Sequence, residues 1–231
     1  MKVAGLQKTT LIDYPEKIAS IIFTQGCNMK CPYCHNPSLI PSAKDEQDFI
    51  PLDQLWHFID HRKELIDGIV ITGGEPTLQQ GLIDFIKKIN SNDLKVKLDT
   101  NGSNPNLLAK LINQELLDYI AMDIKAPFAK NEPIIGKSGF EKSISKSIEL
   151  IKKSTINYEF RTTVVPTLHD AKTIDKIGKL INGSKRHYIQ NFRPKNTLDS
   201  ELLKIKEFPP AKLKEFKSIL SKYVERVFIR N

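Results

Sequence analysis

The stretch CNMKCPYCH, Cys27–His35, holds all 3 cysteines of the chain, and its chemistry decides how the rest is read. Four chemistries compete for it. Cys31-Pro32-Tyr33-Cys34 has the form of a redox dithiol, and Cys31 to Cys34 followed by His35 has the form of a haem attachment site. A dithiol has no use for the upstream Cys27 and wants a proline-containing strand close by, whereas Val165-Pro166 lies far along the chain. Haem attachment needs an oxidising compartment and also leaves Cys27 unexplained. Zinc would find suitable ligand types in three cysteines and His35. Structural zinc sites, however, usually draw ligands from two separate segments, and here Cys34 and His35 would be adjacent ligands. An iron–sulphur cluster on C-x3-C-x2-C uses all three thiols, and Pro32 keeps the segment from running as a helix so that it can wrap one centre. Three thiolates leave one iron of four open, as a catalytic centre requires. Zinc stays the alternative; the cluster explains more.

Composition sets the frame. A chain of 231 residues, 40% hydrophobic, can bury one full core and is expected to be a single domain over 1–231. No apolar run reaches membrane-spanning length, so no membrane is expected. The start, MKVAGLQKTTLIDYPEK, lacks the apolar stretch of a signal peptide, so a cytoplasmic location is expected. With every cysteine in one loop, a disulfide framework is ruled out by arithmetic. The net charge of +8 is spread over helical segments, for example Lys87-Lys88 and Lys152-Lys153, without a basic stripe interleaved with aromatics. A solvated lysine-rich surface therefore outweighs a nucleic-acid groove, and an acidic partner protein is compatible.

Short β-rich runs alternate with helical patterns. The runs are IASIIF (18–23), GIVIT (68–72), VKLDT (96–100), YIAMDI (119–124), YEFRTTVV (158–165) and HYIQNF (187–192). Between them, Leu52, Leu55, Trp56 and Ile59 recur at helical spacing, as do Ile144, Ile148 and Ile151, and Ile174, Ile177 and Ile181. Asn104-Pro105 reads as an N-cap followed by Pro in the first turn. Apolar strands separated by helices predict an α/β fold with a parallel sheet. The six units fall short of the eight that close a barrel, so a partial, open (β/α)6 barrel is expected. Its core spans about 15–193, with a helix around Leu213, Phe216, Leu220 and Tyr223 and the short run VERVFI at about 210–230.

Such folds place sites where strands end and loops begin. The unusual residues fall there: the cysteine loop, Gly73-Gly74-Glu75-Pro76, Asp99-Thr100-Asn101-Gly102 and Asp123-Ile124-Lys125, with Arg161 inside an otherwise apolar strand. His57 and His61, four apart, read as the polar face of a helix and not as metal ligands, since no third ligand follows.

The cysteine motif with an aromatic before its last cysteine, followed by TGGEP, resembles the radical S-adenosylmethionine (radical SAM) superfamily. CPYCHN with TGGEP, LDTNG and MDIK resembles the activating enzymes of glycyl-radical enzymes. GLQKTTLIDYPEKIASIIFTQGC resembles the longer activating proteins of anaerobic ribonucleoside-triphosphate reductase. The likeness runs from Gly5 to about Arg193. It implies that Cys27, Cys31 and Cys34 hold a [4Fe-4S] cluster whose open iron takes S-adenosylmethionine, and that Tyr33 lies against the adenine. It further implies that Gly73, Gly74 and Glu75 meet the methionine amino group, the glycines allowing close approach and the carboxylate complementing an ammonium. Asp99, Asp123 and Lys125 would stand near the ribose and methionine, the carboxylates also holding a monovalent cation, and Arg161 would face the methionine carboxylate. Asn36 and Asn101 complete the implied contacts. Asn191-Phe192-Arg193 departs from the Pro-Tyr-His of pyruvate formate-lyase activating enzymes.

The implied chemistry is reductive. A flavodoxin or ferredoxin reduces the cluster, S-adenosylmethionine is cleaved to methionine and a 5′-deoxyadenosyl radical, and that radical takes a hydrogen from a glycine of a partner protein. Anaerobic ribonucleotide reductase is the leading partner. Pyruvate formate-lyase or another glycyl-radical enzyme, a small molecule or tRNA are alternatives, and a zinc or iron–sulphur binding module is the non-enzyme alternative. The segments 126–139 and 193–210 are candidates for meeting the partner.

Overall fold

The computed structural model describes residues 1–40, 49–128 and 131–230, the side chain of Asn131 excepted. Ala129 and Lys130 of the 126–139 segment therefore lie outside the described residues. Eight strands form one sheet in sequential order. They are β1 (Val3–Thr10), β2 (Ala19–Thr24), β3 (Gly68–Gly73), β4 (Lys95–Thr100), β5 (Tyr119–Asp123), β6 (Asn157–Val164), β7 (Ser184–Asn191) and β8 (Val224–Arg230). β1 runs antiparallel to β2, and every later neighbour is parallel. β1 and β8 are the two ends of the sheet and do not pair with each other, so one side is left open.

Strands β2 to β7 are the six runs read from the sequence. β1 goes beyond that reading because VAGLQKTT is half polar, as an edge strand with one wet face should be. VERVFI also counts for more than a short run: β8 pairs with β7 from Ser184↔Val224 to Gln190↔Arg230.

Among the described residues, seven α-helices connect the strands: α1 (Leu52–Arg62), α2 (Leu82–Asn90), α3 (Pro105–Asn113), α4 (Asn131–Ile135), α5 (Glu141–Lys153), α6 (Ala171–Leu180) and α7 (Pro210–Leu220). Their placement follows local rules. The Asn104 side chain accepts from Leu107 N–H at 3.2 Å, with Pro105 at the first position of α3, as the sequence predicts. Asp170 caps α6 in the same way, accepting from Thr173 N–H at 2.6 Å. Along α2, Leu82, Phe85, Ile86 and Ile89 form one buried face, and each such side chain contributes about 1.5–3 kcal/mol by leaving water. Tyr223, grouped with α7 in the sequence reading, lies just beyond its end. No helix among the described residues is long and apolar enough to cross a membrane.

Period-two alternation sorts the strand residues onto two faces. The helix-facing side is the main core, with Ile22, Ile69, Ile71, Val96, Leu98, Ile120 and Phe160. The inner side has a small apolar group (Tyr14, Ala19, Ile21, Val70, Tyr119) and then turns polar. There Lys97, Asp99, Asp123, Glu159 and Arg161 project into the barrel, each two residues from a neighbour of like orientation or across from one. Arg230 makes a paired contact to Glu159 at 2.9 and 3.1 Å, and the Tyr119 hydroxyl donates to Glu159 at 2.8 Å. This lower network ties β5, β6 and β8 together beneath the site.

His187, on the helix-facing side of β7, is fully buried, and neither ring nitrogen has a partner. Burial drives its pKa from 6.5 down to about 3. Between those values the unfolded chain binds a proton that the folded chain refuses, so stability falls as pH drops through the window. His187→Leu is expected to remove this loss. Urea unfolding at pH 7.5 and 4.5 should show the variant gaining about 2–3 kcal/mol over the natural protein at the lower pH.

Candidate active site

The C-terminal ends of β2 to β6 surround a cavity of about 190 Å³. All of the residues singled out in the sequence line it: Cys27, Cys31, Tyr33, Cys34, Asn36, Gly73, Gly74, Glu75, Asp99, Asn101, Asp123, Lys125 and Arg161. The parallel sheet delivers them from loops up to a hundred residues apart, because every strand of this set ends on the same edge.

Gly73 and Gly74 fix where the cysteine loop begins. Gly73 has φ +123°, and a Cβ on Gly74 would lie 2.0 Å from the carbonyl oxygen of Gly26. Gly74 N–H donates to Thr24 O at 2.9 Å and Glu75 N–H to Gly26 O at 2.7 Å. The glycines are thus needed for the close approach of two backbones, β3's end against the entry to the thiol loop. Gly74→Ala should push that loop outward. Iron bound per chain after reconstitution is expected to fall at least several-fold, with the fold retained by circular dichroism.

Glu75 borders the cavity with its side chain completely buried. One carboxylate oxygen accepts from Thr77 N–H (3.1 Å), Thr77 Oγ1 (2.6 Å) and Thr100 Oγ1 (2.7 Å), and the other from Asn101 N–H (2.6 Å). Burial raises its pKa against the pull of those four donors. Glu75 is a brace between the turns after β3 and β4. Asn101 extends the brace: its amide donates to Asn28 Oδ1 at 3.0 Å and stands 3.9 Å from Cys27 Sγ.

The thiols are unpaired with one another. Burial pushes Cys31 up to about 11 and also raises Cys27, whose sulphur accepts from Met29 N–H at 3.4 Å. Burial of this kind keeps Cys27 and Cys31 as thiols at neutral pH, and a bound metal centre would compensate the thiolate charge. Among the described residues, no three His, Cys, Asp or Glu side chains converge closely enough to share a single ion. Three ionisable sulphurs around one cavity, whose carboxylates Glu75, Asp99 and Asp123 are already hydrogen-bonded or ion-paired, fit a multinuclear cluster.

Opposite the sulphurs runs a relay of ion pairs. Lys97 pairs with Asp99, Arg161 joins Asp99 (2.9 Å) to Asp123 (2.9 Å), and Lys125 pairs with Asp123 (3.1 Å). Burial alone would raise both carboxyls, but Arg161 with Lys97 holds Asp99 below the usual range, and Arg161 with Lys125 does the same for Asp123. Three cations meet two anions in this relay, a surplus of one positive charge, and of the cations Arg161 and Lys125 border the cavity. The monovalent cation that the resemblance suggests finds no support here, since both carboxylates are already committed. Lys97, 1% exposed, was missed in the sequence. Its signal was the strand period, which puts it on the same face as Asp99.

Tyr33 is buried edge-on to His169 (centroids 6.4 Å apart), and its hydroxyl has no partner. His169 accepts from Val165 N–H at Nδ1 (3.1 Å), and its Nε2 lies 2.9 Å from Lys125 O, binding the ends of β5 and β6. The Asn191-Phe192-Arg193 departure is put to use. Phe192 stacks on His35 (5.8 Å), the His35 ring bonds the Arg193 carbonyl (3.0 Å), and Asp199 N–H donates to Pro32 O (2.9 Å), so the strand exit covers the thiol loop. Asn36 begins the short 3-10 turn Pro37–Leu39 at the rim. His57 and His61 lie on the exposed face of α1, their rings 4.1 Å apart, as the polar-face reading expects.

Residues 21–182 match the family model described as the radical SAM superfamily. The chain belongs to the radical SAM superfamily. This radical SAM protein is 37% identical, over 99% of its length and 95% of the relative's, to a Methanocaldococcus jannaschii protein whose name assigns it provisionally as a glycyl-radical enzyme activating enzyme. That match places it among the glycyl-radical enzyme activating enzymes. It is 29% identical to the pyruvate formate-lyase-activating enzyme of Clostridium pasteurianum, over 78% of this chain and 75% of that one. Among solved structures, Streptococcus suis SuiB bound to its precursor peptide SuiA aligns with TM-score 0.70 at 11% identity, over 91% of this chain and 48% of SuiB. The chain spans about half the length of SuiB, and the likeness is one of fold. Membership of the superfamily implies a [4Fe-4S] cluster and S-adenosylmethionine.

Proposed function

We propose that this enzyme installs a glycyl radical on anaerobic ribonucleoside-triphosphate reductase, using a cluster held by Cys27, Cys31 and Cys34. The observation that carries the reading is the single cavity joining three unpaired thiols to a relay with one surplus positive charge. When bound, the cluster supplies the electron that splits S-adenosylmethionine into methionine and the species that takes a hydrogen atom from the partner's glycine. The chain's own residues bind and orient. The surplus charge of the relay, centred on Arg161, suits the methionine carboxylate. Lys125 and the paired Asp99 and Asp123 set polar contacts for the amino acid and ribose. Because the Glu75 carboxylate is spent as a brace, the backbone of Gly73-Gly74 is left to meet the amino group. Tyr33 offers its buried ring to the adenine, and Asn36 and Asn101 border the same space. No side chain is needed as acid or base.

The near-full-length likeness to an activating enzyme supports a glycyl-radical protein as substrate, and the N-terminal segment through β1 and β2 supports the reductase among such proteins. Pyruvate formate-lyase is the second reading, favoured by the Clostridium relative. A low-potential flavodoxin or ferredoxin suits the basic surface as electron donor. The test is anaerobic EPR on mixtures of the reduced enzyme, S-adenosylmethionine and either candidate partner from the same organism. A glycyl doublet on the reductase alone supports the proposal; a doublet on pyruvate formate-lyase alone replaces it with the second reading.

A further inference from the structure

We infer that the open side of the barrel, between β8 and the turn joining β1 to β2, admits one extended segment of the partner protein and grips it at an apolar lip formed by Leu11 and Ile12. The inference rests on the activating-enzyme reading above and deepens it by assigning the entry surface.

A cavity of about 630 Å³ lies on this side, bounded by Ile12 and Asp13 of the turn, Arg230 at the end of β8, Gln190 of β7, and Thr163 and Arg161 of β6. Arg161 and Thr163 also border the thiol cavity, so the two spaces share a wall. Leu11 and Ile12 are 71% and 81% exposed, two consecutive large apolar side chains in water. Their turn is held in place: Thr10 Oγ1 donates to Asp13, and Tyr14 is buried with its ring 6.1 Å from that of Tyr119. A fixed turn that presents a paired apolar tip beside a polar cavity marks a contact surface.

Three observations choose an extended polypeptide as the occupant. β8 ends the sheet, so its outer edge carries a row of backbone groups without a strand partner, which an extended segment can pair. The cavity opens sideways, whereas small-molecule sites enclose their ligand. Two of the cavity's three arginines are already paired, Arg230 with Glu159 and Arg161 with two aspartates, and Arg193 alone is not the run of cations that a nucleic-acid backbone needs. A segment lying along β8, with an apolar side chain on the lip, brings its neighbouring residues toward the shared wall.

The test uses the full chain with its cluster reconstituted. Leu11→Ser/Ile12→Ser is compared with the natural protein and with Leu65→Ser, which alters an exposed leucine elsewhere. Two quantities are read: 5′-deoxyadenosine released without any partner, and the glycyl EPR doublet as the anaerobic ribonucleotide reductase of the same organism is titrated in. The double variant should release 5′-deoxyadenosine within twofold of the natural protein while its half-saturating reductase concentration rises tenfold or more, and Leu65→Ser should change neither. Unchanged saturation in the double variant overturns the inference. If the natural protein itself releases 5′-deoxyadenosine but gives no doublet on the reductase, the partner reading fails and this occupant falls with it.

Discussion

Cys31→Ala is expected to abolish the iron chromophore and reduce radical formation below detection. Cys31 is the central thiol of the loop and is buried beside Lys125, so no water-exposed ligand can take its place. Two thiolates cannot hold a cluster that already lacks a protein ligand on one iron. Iron analysis and the visible spectrum after anaerobic reconstitution check the loss. Circular dichroism should stay near that of the natural protein, because the sulphur contributes little to the core. Retention of most of the iron in this variant would mean that the loop does not ligate as proposed.

Arg161→Met should separate cofactor binding from cluster binding. Arg161 bridges Asp99 and Asp123, and its loss strands both carboxylates with one lysine each in a buried site. Removing one partner of such a network costs about 3–5 kcal/mol of stability. S-adenosylmethionine affinity, measured by calorimetry, should drop on the order of 100-fold, since a charge-assisted contact is lost and the relay's surplus positive charge disappears. Iron content should stay close to the natural value. Arg161→Lys should rescue only weakly, because an ammonium cannot span two carboxylates as a guanidinium fork does. The acid limb carries a sign as well. Asp99 and Asp123 are held low in the natural protein and add stability that persists until pH falls through their depressed values; in Arg161→Met that stability is lost at higher pH.

Much of this site was legible in the chain. Strand ends could be placed from runs such as GIVIT and VKLDT, and a parallel sheet then forces the residues after them onto one edge. That reasoning gathers Cys27, Gly73, Asp99, Asp123 and Arg161 around one cavity, as observed. Direction within the cavity was not legible. That Glu75 also braces two turns depends on the threonines two and twenty-five positions on, whose hydroxyls donate to it. Arg161 was read as facing a methionine carboxylate; that it also bridges two aspartates depends on the lateral register Asp123↔Arg161, which no sequence pattern announces. Edge strand β1 was hidden, and β8 was legible only as the short run VERVFI, for a related reason. An edge strand has one wet face and so lacks the continuous apolar run that betrays the inner strands.

The central claim, that three thiols hold a cluster whose open iron takes S-adenosylmethionine, can be tested without any partner. The measurement is the anaerobic low-temperature EPR spectrum of the reconstituted, reduced enzyme before and after adding S-adenosylmethionine, with 5′-deoxyadenosine assayed in the same sample. A reduced-cluster signal that changes shape on addition, together with 5′-deoxyadenosine, is the predicted result. A colourless protein containing zinc, with no signal in either state, would contradict it.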